Sequence, residues 1–220
     1  MGSLLVQVAV YGLAAACAAP VAAVVSAVIL GKSSRPILGT WTFAAGAAFL
    51  DVLLAVVVLA SGAFESGSDA GDYLDVGLGI LFGAMGILAV FETPSPEKEA
   101  AQRARAERIA TAKITTLFAA GILVQIINFD AIAVFGGAVK EIAEADVTTA
   151  EAAFALVFGL AIMLSVYYGP AVVYALVPKR AGPLLGRMVE WIMGNLRIIE
   201  VVVGIGFGAY FLVKGLSALL

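Results

Sequence analysis

The chain has 220 residues, of which 62% are hydrophobic and 13% are charged, and its mean hydropathy is +1.06. A soluble domain is nearer about half apolar and about a quarter charged, so most of this chain is predicted to lie in a lipid bilayer. The net charge of −3 without a basic tract argues against nucleic-acid binding, and the lack of histidine beside a single cysteine removes the usual transition-metal ligands and any cysteine redox pair.

Six apolar stretches are long enough to be transmembrane helices. They cover residues 4–30, 37–61, 74–91, 114–138, 150–177 and 197–219. Lysine and arginine concentrate in the first, third and fifth loops between them, and only Lys140 and Lys214 lie elsewhere. The second and fourth loops are acidic, with Glu65, Asp69, Asp72, Glu141, Glu144 and Asp146. Because positively charged loops stay in the cytoplasm, both termini are predicted to be extracytoplasmic.

The third loop divides the chain into two halves. Pro94 and Pro96 end the third span, and the mixed-charge run EKEAAQRARAER after them has a helix-forming composition. We interpret residues 93–112 as a charged cytoplasmic linker, either solvated or bound to anionic headgroups, between a first three-helix repeat at 1–92 and a second at 113–220. The predicted fold is an all-α integral membrane protein of the cytoplasmic membrane, with six spans in a 3+3 inverted-topology repeat, which is a transporter architecture.

Glycine motifs give this repeat some support. The sequence VGLG stands at residues 76–79 in span three, and VGIG stands at residues 203–206 in span six. Small faces of this kind also serve close helix packing, within one chain or between the chains of a homodimer. The fifth loop, residues 178–197, mixes apolar and basic side chains and suits an interfacial amphipathic helix.

Asp51 and Asp130 each lie inside a predicted span, where an ionised carboxylate costs on the order of a few kcal/mol. At ~1.5 Å per residue, they lie roughly 22 Å and 25 Å from the cytoplasmic ends of their spans. One carboxylate from each half therefore reaches a similar depth. The pair is predicted to exchange protons, to bind a monovalent cation or to bind the cationic part of a substrate. With no visible nucleophile or metal-ligand set, neither an enzyme nor a cofactor is predicted.

Helix-breaking residues accompany the carboxylates. Asn128 stands two positions before Asp130, and both residue types bond readily to local backbone, so a break in span four is predicted. Pro20 in span one and Pro170 in span five are candidate hinges at similar depths, or merely packing kinks.

Three aromatic residues complete the set of candidate site residues. Trp41 lies one turn into span two and suits an interface anchor as well as a lining residue. Tyr167 and Tyr168 are placed to hydrogen-bond a substrate, although such residues also pack in helix interfaces. We therefore include Trp41, Tyr167 and Tyr168, together with Asn128, in the predicted lining of a transport path.

Longer motifs run through both halves. The first half contains Ala19-Pro20 and then Gly31-x3-Arg35-x3-Gly39-x6-Gly46-x4-Asp51. The second half contains NFDAIAVFGGA, YYGPAVVYALVPKRAGPLLGRMVEWI and a glycine-rich last span that ends in LVKGLSALL. Together they resemble the LysE superfamily of small six-span exporters, and most of all its branch of glycolipid-addressing and sulfolipid-1-addressing proteins.

The resemblance implies export, of amino acids or ions in the superfamily at large and of cell-envelope glycolipids in this branch. Val21 follows Pro20 where amino-acid exporters often carry a polar or acidic residue. The expected function is export of a glycolipid or related amphiphile, coupled to protons or a cation, with membrane lipids as partners. An exporter of amino acids or small cations, and a non-transporting subunit of larger lipid-export machinery, are the alternatives.

Overall fold

A computed structural model of the protein describes residues 1–61, 70–92 and 96–220, with the side chains of residues 70, 96, 98 and 99 excepted. Residues 62–69 and 93–95, which include Glu65, Asp69 and Pro94 named above, lie outside the described residues. The helices of the described part are α1 Gly2–Ala18, α2 Pro20–Lys32, α3 Pro36–Ser61, α4 Ala70–Phe91, α5 Pro96–Ala110, α6 Ile114–Ile127, α7 Phe129–Glu144, α8 Thr149–Met163, α9 Ser165–Leu176 and α10 Pro178–Leu219.

Helices α3, α4 and α10 are each long and apolar enough to cross a membrane. Three pairs of helices, α1–α2, α6–α7 and α8–α9, pass the same test together and are bent by 66°, 80° and 69°. The described part of the chain therefore has three to six candidate membrane spans, and the higher number applies when each bent pair is one span. The helical architecture of these described residues, and the presence of several helices that could cross a membrane, agree with the sequence prediction.

Local sequence explains two of the three bends. Pro20 begins α2, a position that suits proline because the first helical N–H has no intrahelical partner. Asn128 is non-helical, with φ −84° and ψ 51°, and separates α6 from α7, so the predicted break in span four is confirmed. Span five bends at Leu164, and Pro170 lies inside α9. The Pro170 ring removes only a bond to a carbonyl in the first turn of α9, so the helix continues past it.

Helices α4 and α10 pack closely through glycines along their length. A Cβ atom on Gly204 would lie 2.5 Å from the Gly86 Cα atom, and one on Gly208 would lie 2.6 Å from the Gly83 nitrogen. Small faces that let two backbones approach are the usual means of helix association in a membrane. The packing interpretation of these glycines is therefore confirmed.

Glycines also join helices of the first half to helices of the second. A Cβ atom on Gly46 of α3 would lie 2.0 Å from the Phe118 carbonyl oxygen of α6. Equally, a Cβ atom on Gly121 of α6 would lie 2.0 Å from the Phe43 carbonyl oxygen of α3. Gly12 of α1 approaches α8 in the same manner, since its added Cβ would lie 3.1 Å from the Gly159 carbonyl oxygen.

Three predicted loops contain helix. The linker forms α5, in agreement with its helix-forming composition, and it packs on α2 with Ala106 and Ala110 buried, so it is not purely solvated. The fifth loop is the beginning of α10, because helix-forming residues continue without a break after Pro183. In the fourth loop, α7 extends to Glu144 and buries Lys140 and Glu141.

Candidate functional site

Asp51 belongs to a chain of buried hydrogen bonds that joins α3, α6 and α9. The Gln125 Nε2 atom donates to the Asp51 Oδ1 atom at 2.9 Å, and the Tyr167 hydroxyl donates to the Gln125 Oε1 atom. Asp51 is only 1% exposed, and Gln125 and Tyr167 are fully buried. The second carboxylate oxygen, Oδ2 of Asp51, has no hydrogen-bond partner among the described protein groups. We call Asp51, Gln125 and Tyr167 the polar triad.

Asn128 and Asp130 lie at the bend between α6 and α7. The Asn128 carbonyl accepts from the backbone nitrogens of Ala131 and Ile132, which leaves its side chain free of the local turn. Its Nδ2 atom is buried and has no partner in the described part of the chain. Asp130 is half-buried in the first turn of α7, where the positive end of the helix dipole favours a carboxylate.

The two predicted carboxylates occupy separate settings. Tyr167 lies within electrostatic range of both Asp51 and Asp130. No hydrogen bond joins the two carboxylates in the described residues: Asp51 accepts from Gln125, whereas Asp130 lies in the first turn of α7. The structure thus places Asp130 at a helix break and Asp51 in the polar triad, with Tyr167 within range of both.

A cavity of about 500 Å³ lies where two of the bent spans meet, and we call it the central cavity. Cys17, Ala18, Pro20 and Val21 line it from the bend between α1 and α2. Ile127, Asn128, Phe129 and Asp130 line it from the bend between α6 and α7. The second half of α4 and the middle of α10 complete the lining with Phe82, Met85, Leu88, Ala89, Glu92, Ile199, Glu200, Val203 and Gly204.

The central cavity is mainly apolar, with carboxylates from Glu92, Asp130 and Glu200. Three of its apolar lining residues are at the outer surface of the helices: Leu88 is 69%, Ile127 53% and Phe129 56% exposed. The cavity therefore has a side opening, bordered by these apolar residues and by the exposed Glu92 and Glu200.

Trp41 and Tyr168 stack on each other, with ring centroids 5.6 Å apart and an interplanar angle of 5°. Trp41 is half-exposed, and the Tyr168 hydroxyl donates to the Ala161 carbonyl within its own bent span. Neither residue belongs to the described lining of the central cavity. Of the candidate residues, Asn128, Asp130 and Pro20 do line it, and Pro170 is buried in α9.

A group of buried and partly buried charges lies on α4, α7 and α10, away from the central cavity, and it was not singled out in the sequence. The ionic cluster, as we call it, consists of Tyr11, Asp72, Asp75, Lys140, Glu141, Glu144 and Lys214. Asp75 is at its centre: its Oδ2 atom lies 3.0 Å from the Lys140 Nζ atom and 2.9 Å from the Lys214 Nζ atom. The Tyr11 hydroxyl donates to the other oxygen, Oδ1 of Asp75.

The remaining members of the ionic cluster surround the two lysines. Glu141 pairs with Lys214 and lies 3.6 Å from Lys140, while Asp72 and Glu144 approach Lys140 at 3.5 Å and 3.7 Å. Buried charges are costly unless they are paired and hydrogen-bonded, and here each lysine has more than one acidic partner. A signal was present in the sequence, because these lysines are the two positive residues outside the three basic loops.

Comparison with protein families identifies the chain's relatives. The family model described as Sap, sulfolipid-1-addressing protein, matches residues 8–217, which include the polar triad, the central cavity and the whole ionic cluster. No curated protein and no solved structure matched significantly. The resemblance to the sulfolipid-addressing branch is confirmed, and the wider relationship to the LysE superfamily stays a prediction. The chain is a lipid-related membrane protein that belongs to the Sap, sulfolipid-1-addressing protein, family.

Proposed function

We propose that this protein is an exporter of the cytoplasmic membrane that moves a cell-envelope glycolipid or related amphiphile, coupled to protons or a monovalent cation. The observation that carries the proposal is that two broken spans, one from each half, line a single cavity. Helix breaks that expose polar groups to a shared cavity are the usual construction of a transporter binding site.

The arrangement of glycines supports a 3+3 inverted repeat. Gly12 precedes the break at Ala19 by the same number of residues as Gly121 precedes the break at Asn128. Each of these glycines contacts a span of the opposite half, Gly12 on Gly159 of span five and Gly121 on Phe43 of span two. Span one corresponds to span four, and span two corresponds to span five, in the two proposed repeats. The contact between spans one and five is therefore the counterpart of the contact between spans four and two, which is the relation expected of two repeats.

A second pair of glycines follows the same relation. Gly46 follows the first residue of α3, Pro36, by the same number of positions as Gly159 follows the first residue of α8, Thr149. These matching positions support a repeat interface that uses corresponding glycines of both halves. The proposed topology keeps α5 and the first part of α10 in the cytoplasm and both termini outside, since the basic residues cluster in those segments.

The lining of the central cavity favours an amphiphile over a small solute. Phe82, Met85 and Val203 offer apolar surface to an acyl chain, and the side opening lets such a chain remain in the bilayer. Asp130 and Asn128, which line the cavity, are proposed to bond the hydroxyl groups of a headgroup, because a carboxylate accepts and an amide both donates and accepts hydrogen bonds.

Asp130 is the group that we propose exchanges a proton or binds the coupling cation, since it faces the central cavity from a helix N-terminus. Asp51 is proposed to act from the polar triad, with its unpartnered oxygen as the available acceptor. Tyr167, within electrostatic range of both carboxylates, links the two positions. Trp41 and Tyr168 are proposed to line the path at the lipid surface.

The test is flux in proteoliposomes across a pH gradient, with a fluorescent glycolipid and a labelled amino-acid mixture offered side by side. We expect glycolipid movement by the wild type and its loss in Asp51→Asn and Asp130→Asn, with unchanged movement in the control Glu97→Gln on the exposed face of α5. Movement of amino acids alone would support the small-solute exporter. No flux of either, from well-folded protein, would overturn the proposal in favour of a subunit of a larger lipid-export machine.

A further inference from the structure

The central cavity and the ionic cluster share four helices, α1, α4, α7 and α10. Each of these helices carries a residue that lines the cavity and, a few turns away, a residue of the cluster. These pairs are Cys17 and Tyr11, Phe82 and Asp75, Asp130 and Lys140, and Gly204 and Lys214. At ~1.5 Å per residue the separations are about 9–15 Å. The ionic cluster therefore lies beyond one end of the central cavity on all four helices.

Aromatic rings fill the space between the cavity and the cluster. Phe82 lines the central cavity and meets Phe211 edge-on, with ring centroids 6.2 Å apart. Phe211 in turn stacks on Tyr11 of the cluster at 5.0 Å. Phe211 and Tyr11 are fully buried, so no open passage runs along this line of rings.

A second cavity lies beyond the ionic cluster. It has a volume of about 360 Å³, and we call it the outer hollow. Its polar lining includes Ser3, Gln7 and Asp146, together with Glu141 and Glu144 of the cluster. The same two glutamates thus face the outer hollow and pair with the lysines, which places the ionic cluster between two cavities.

The partners in the cluster are divided between the halves of the chain. Tyr11, Asp72 and Asp75 belong to residues 1–92, whereas Lys140 and Lys214 belong to residues 113–220. Asp75 therefore has one partner in the first half, Tyr11, and two partners in the second half, Lys140 and Lys214. Moving the halves apart at this end would separate these ion pairs.

We propose that the ionic cluster and the Phe82–Phe211 layer are the closed gate between the central cavity and the outer hollow. This inference rests on the proposed function, since a gate implies a transported substrate. In the state described here the cavity is shut towards the outer hollow. Transport requires a second state in which Lys140 and Lys214 part from Asp75 and the rings separate.

The native cysteine tests the gate without measuring transport. Cys17 is the single cysteine of the chain and lines the central cavity. A membrane-impermeant maleimide applied on the side of the outer hollow is expected to label wild-type Cys17 slowly. Lys214→Met, by favouring the open state, is expected to raise that rate about tenfold or more. The matched control is Lys179→Met, at the other end of α10. Equal labelling rates in all three proteins would overturn the gate.

A disulfide provides a second test that does not depend on the folding of Lys214→Met. A Cβ atom on Gly71 would lie 2.1 Å from the Lys140 Cε atom and 2.2 Å from the Glu144 Oε1 atom. Once the flexible end of Lys140 shifts aside, cysteines at 71 and 144 are expected to bridge α4 and α7 across the cluster. In a Cys17→Ser background, oxidation of Gly71→Cys with Glu144→Cys is expected to stop glycolipid flux, and reduction to restore it. The single variant Glu144→Cys controls for oxidation.

The outcomes separate the gate from the proposed function. Undiminished flux in the oxidised, bridged protein would overturn the gate while the proposed function stands. Absence of flux in the reduced protein as well would count against the proposed function, and the labelling of Cys17 would still decide whether the cluster closes the cavity.

Discussion

The Gln125 side-chain amide donates a 2.9 Å hydrogen bond to the Asp51 carboxylate, and both groups are shielded from the surface. Gln125 thereby ties α6 to α3 at the same level where the Tyr167 hydroxyl ties α9 to α6. Because Gln125 uses its nitrogen for one partner and its oxygen for the other, a single amide connects three helices.

Replacing Gln125 with leucine is expected to lower the free energy of unfolding by about 2–3 kcal/mol, because a buried carboxylate loses its hydrogen-bond donor. Thermal unfolding in detergent measures the effect. Asn195→Leu, which removes only an exposed bond to the Trp191 carbonyl, is the control and should change stability little. Since Asp51 and Gln125 are in contact, Asp51→Asn combined with Gln125→Leu should cost less than the sum of the single changes.

Gly121→Ala is expected to disrupt the contact between α6 and α3. The new methyl group would lie 2.0 Å from the Phe43 carbonyl oxygen, and backbone cannot yield as a flexible side chain can. Overpacking of this kind costs about 1–3 kcal/mol or more. Gly136→Ala, with no atom within 4 Å of the added Cβ, should leave the unfolding temperature nearly unchanged. Similar stability of both variants would show that the helices are not held by this close approach.

Narrowing the central cavity is expected to slow transport without loss of folding. Val21→Trp places a large side chain in the lining, and glycolipid flux should fall about tenfold, because bound ligands fill most of such a cavity. Val202→Trp, at a 64% exposed position of α10, adds the same group on the outer surface and should transport normally. Full flux through the Val21 variant would mean that the substrate does not pass this cavity.

The proposed orientation is checked with single cysteines in a Cys17→Ser background. A cysteine at Glu97 on α5 is expected to react with an impermeant thiol reagent only from the cytoplasm, because basic segments remain on that side. A cysteine at Leu220 is expected to react only from outside. The opposite pattern would reverse the predicted topology and place the outer hollow in the cytoplasm.

Sequence reasoning succeeded where the signal is local and chemical. Asn128 favours local backbone bonds and Pro20 suits a helix start, and the chain bends at both places. The bend at Leu164 has no such signal, because neither glycine nor proline occurs in the residues around it, and Pro170 is too far into α9 to mark it. The central cavity forms where the α1–α2 bend meets the α6–α7 bend. A single sequence does not predict which bends come together in the folded protein.

The ionic cluster was missed for a different reason. The sequence prediction placed Lys140 and Glu141 in an acidic loop because charge was taken to mark the end of a span. In the structure these charges are buried inside the bundle, where pairing with Asp75 and Lys214 offsets the cost of removing them from water. Asp75 itself stands near the start of a span, and its partners lie far along the chain on α1, α7 and α10.

Helix α10 runs unbroken from Pro178 to Leu219. At ~1.5 Å per residue it is about 63 Å long, roughly twice the hydrocarbon thickness of a bilayer. A single helix therefore joins the basic segment that begins at Pro178 to Lys214 of the ionic cluster without an intervening loop. A displacement of the Pro178 end along the helix axis would be carried to Lys214 with no flexible joint between them.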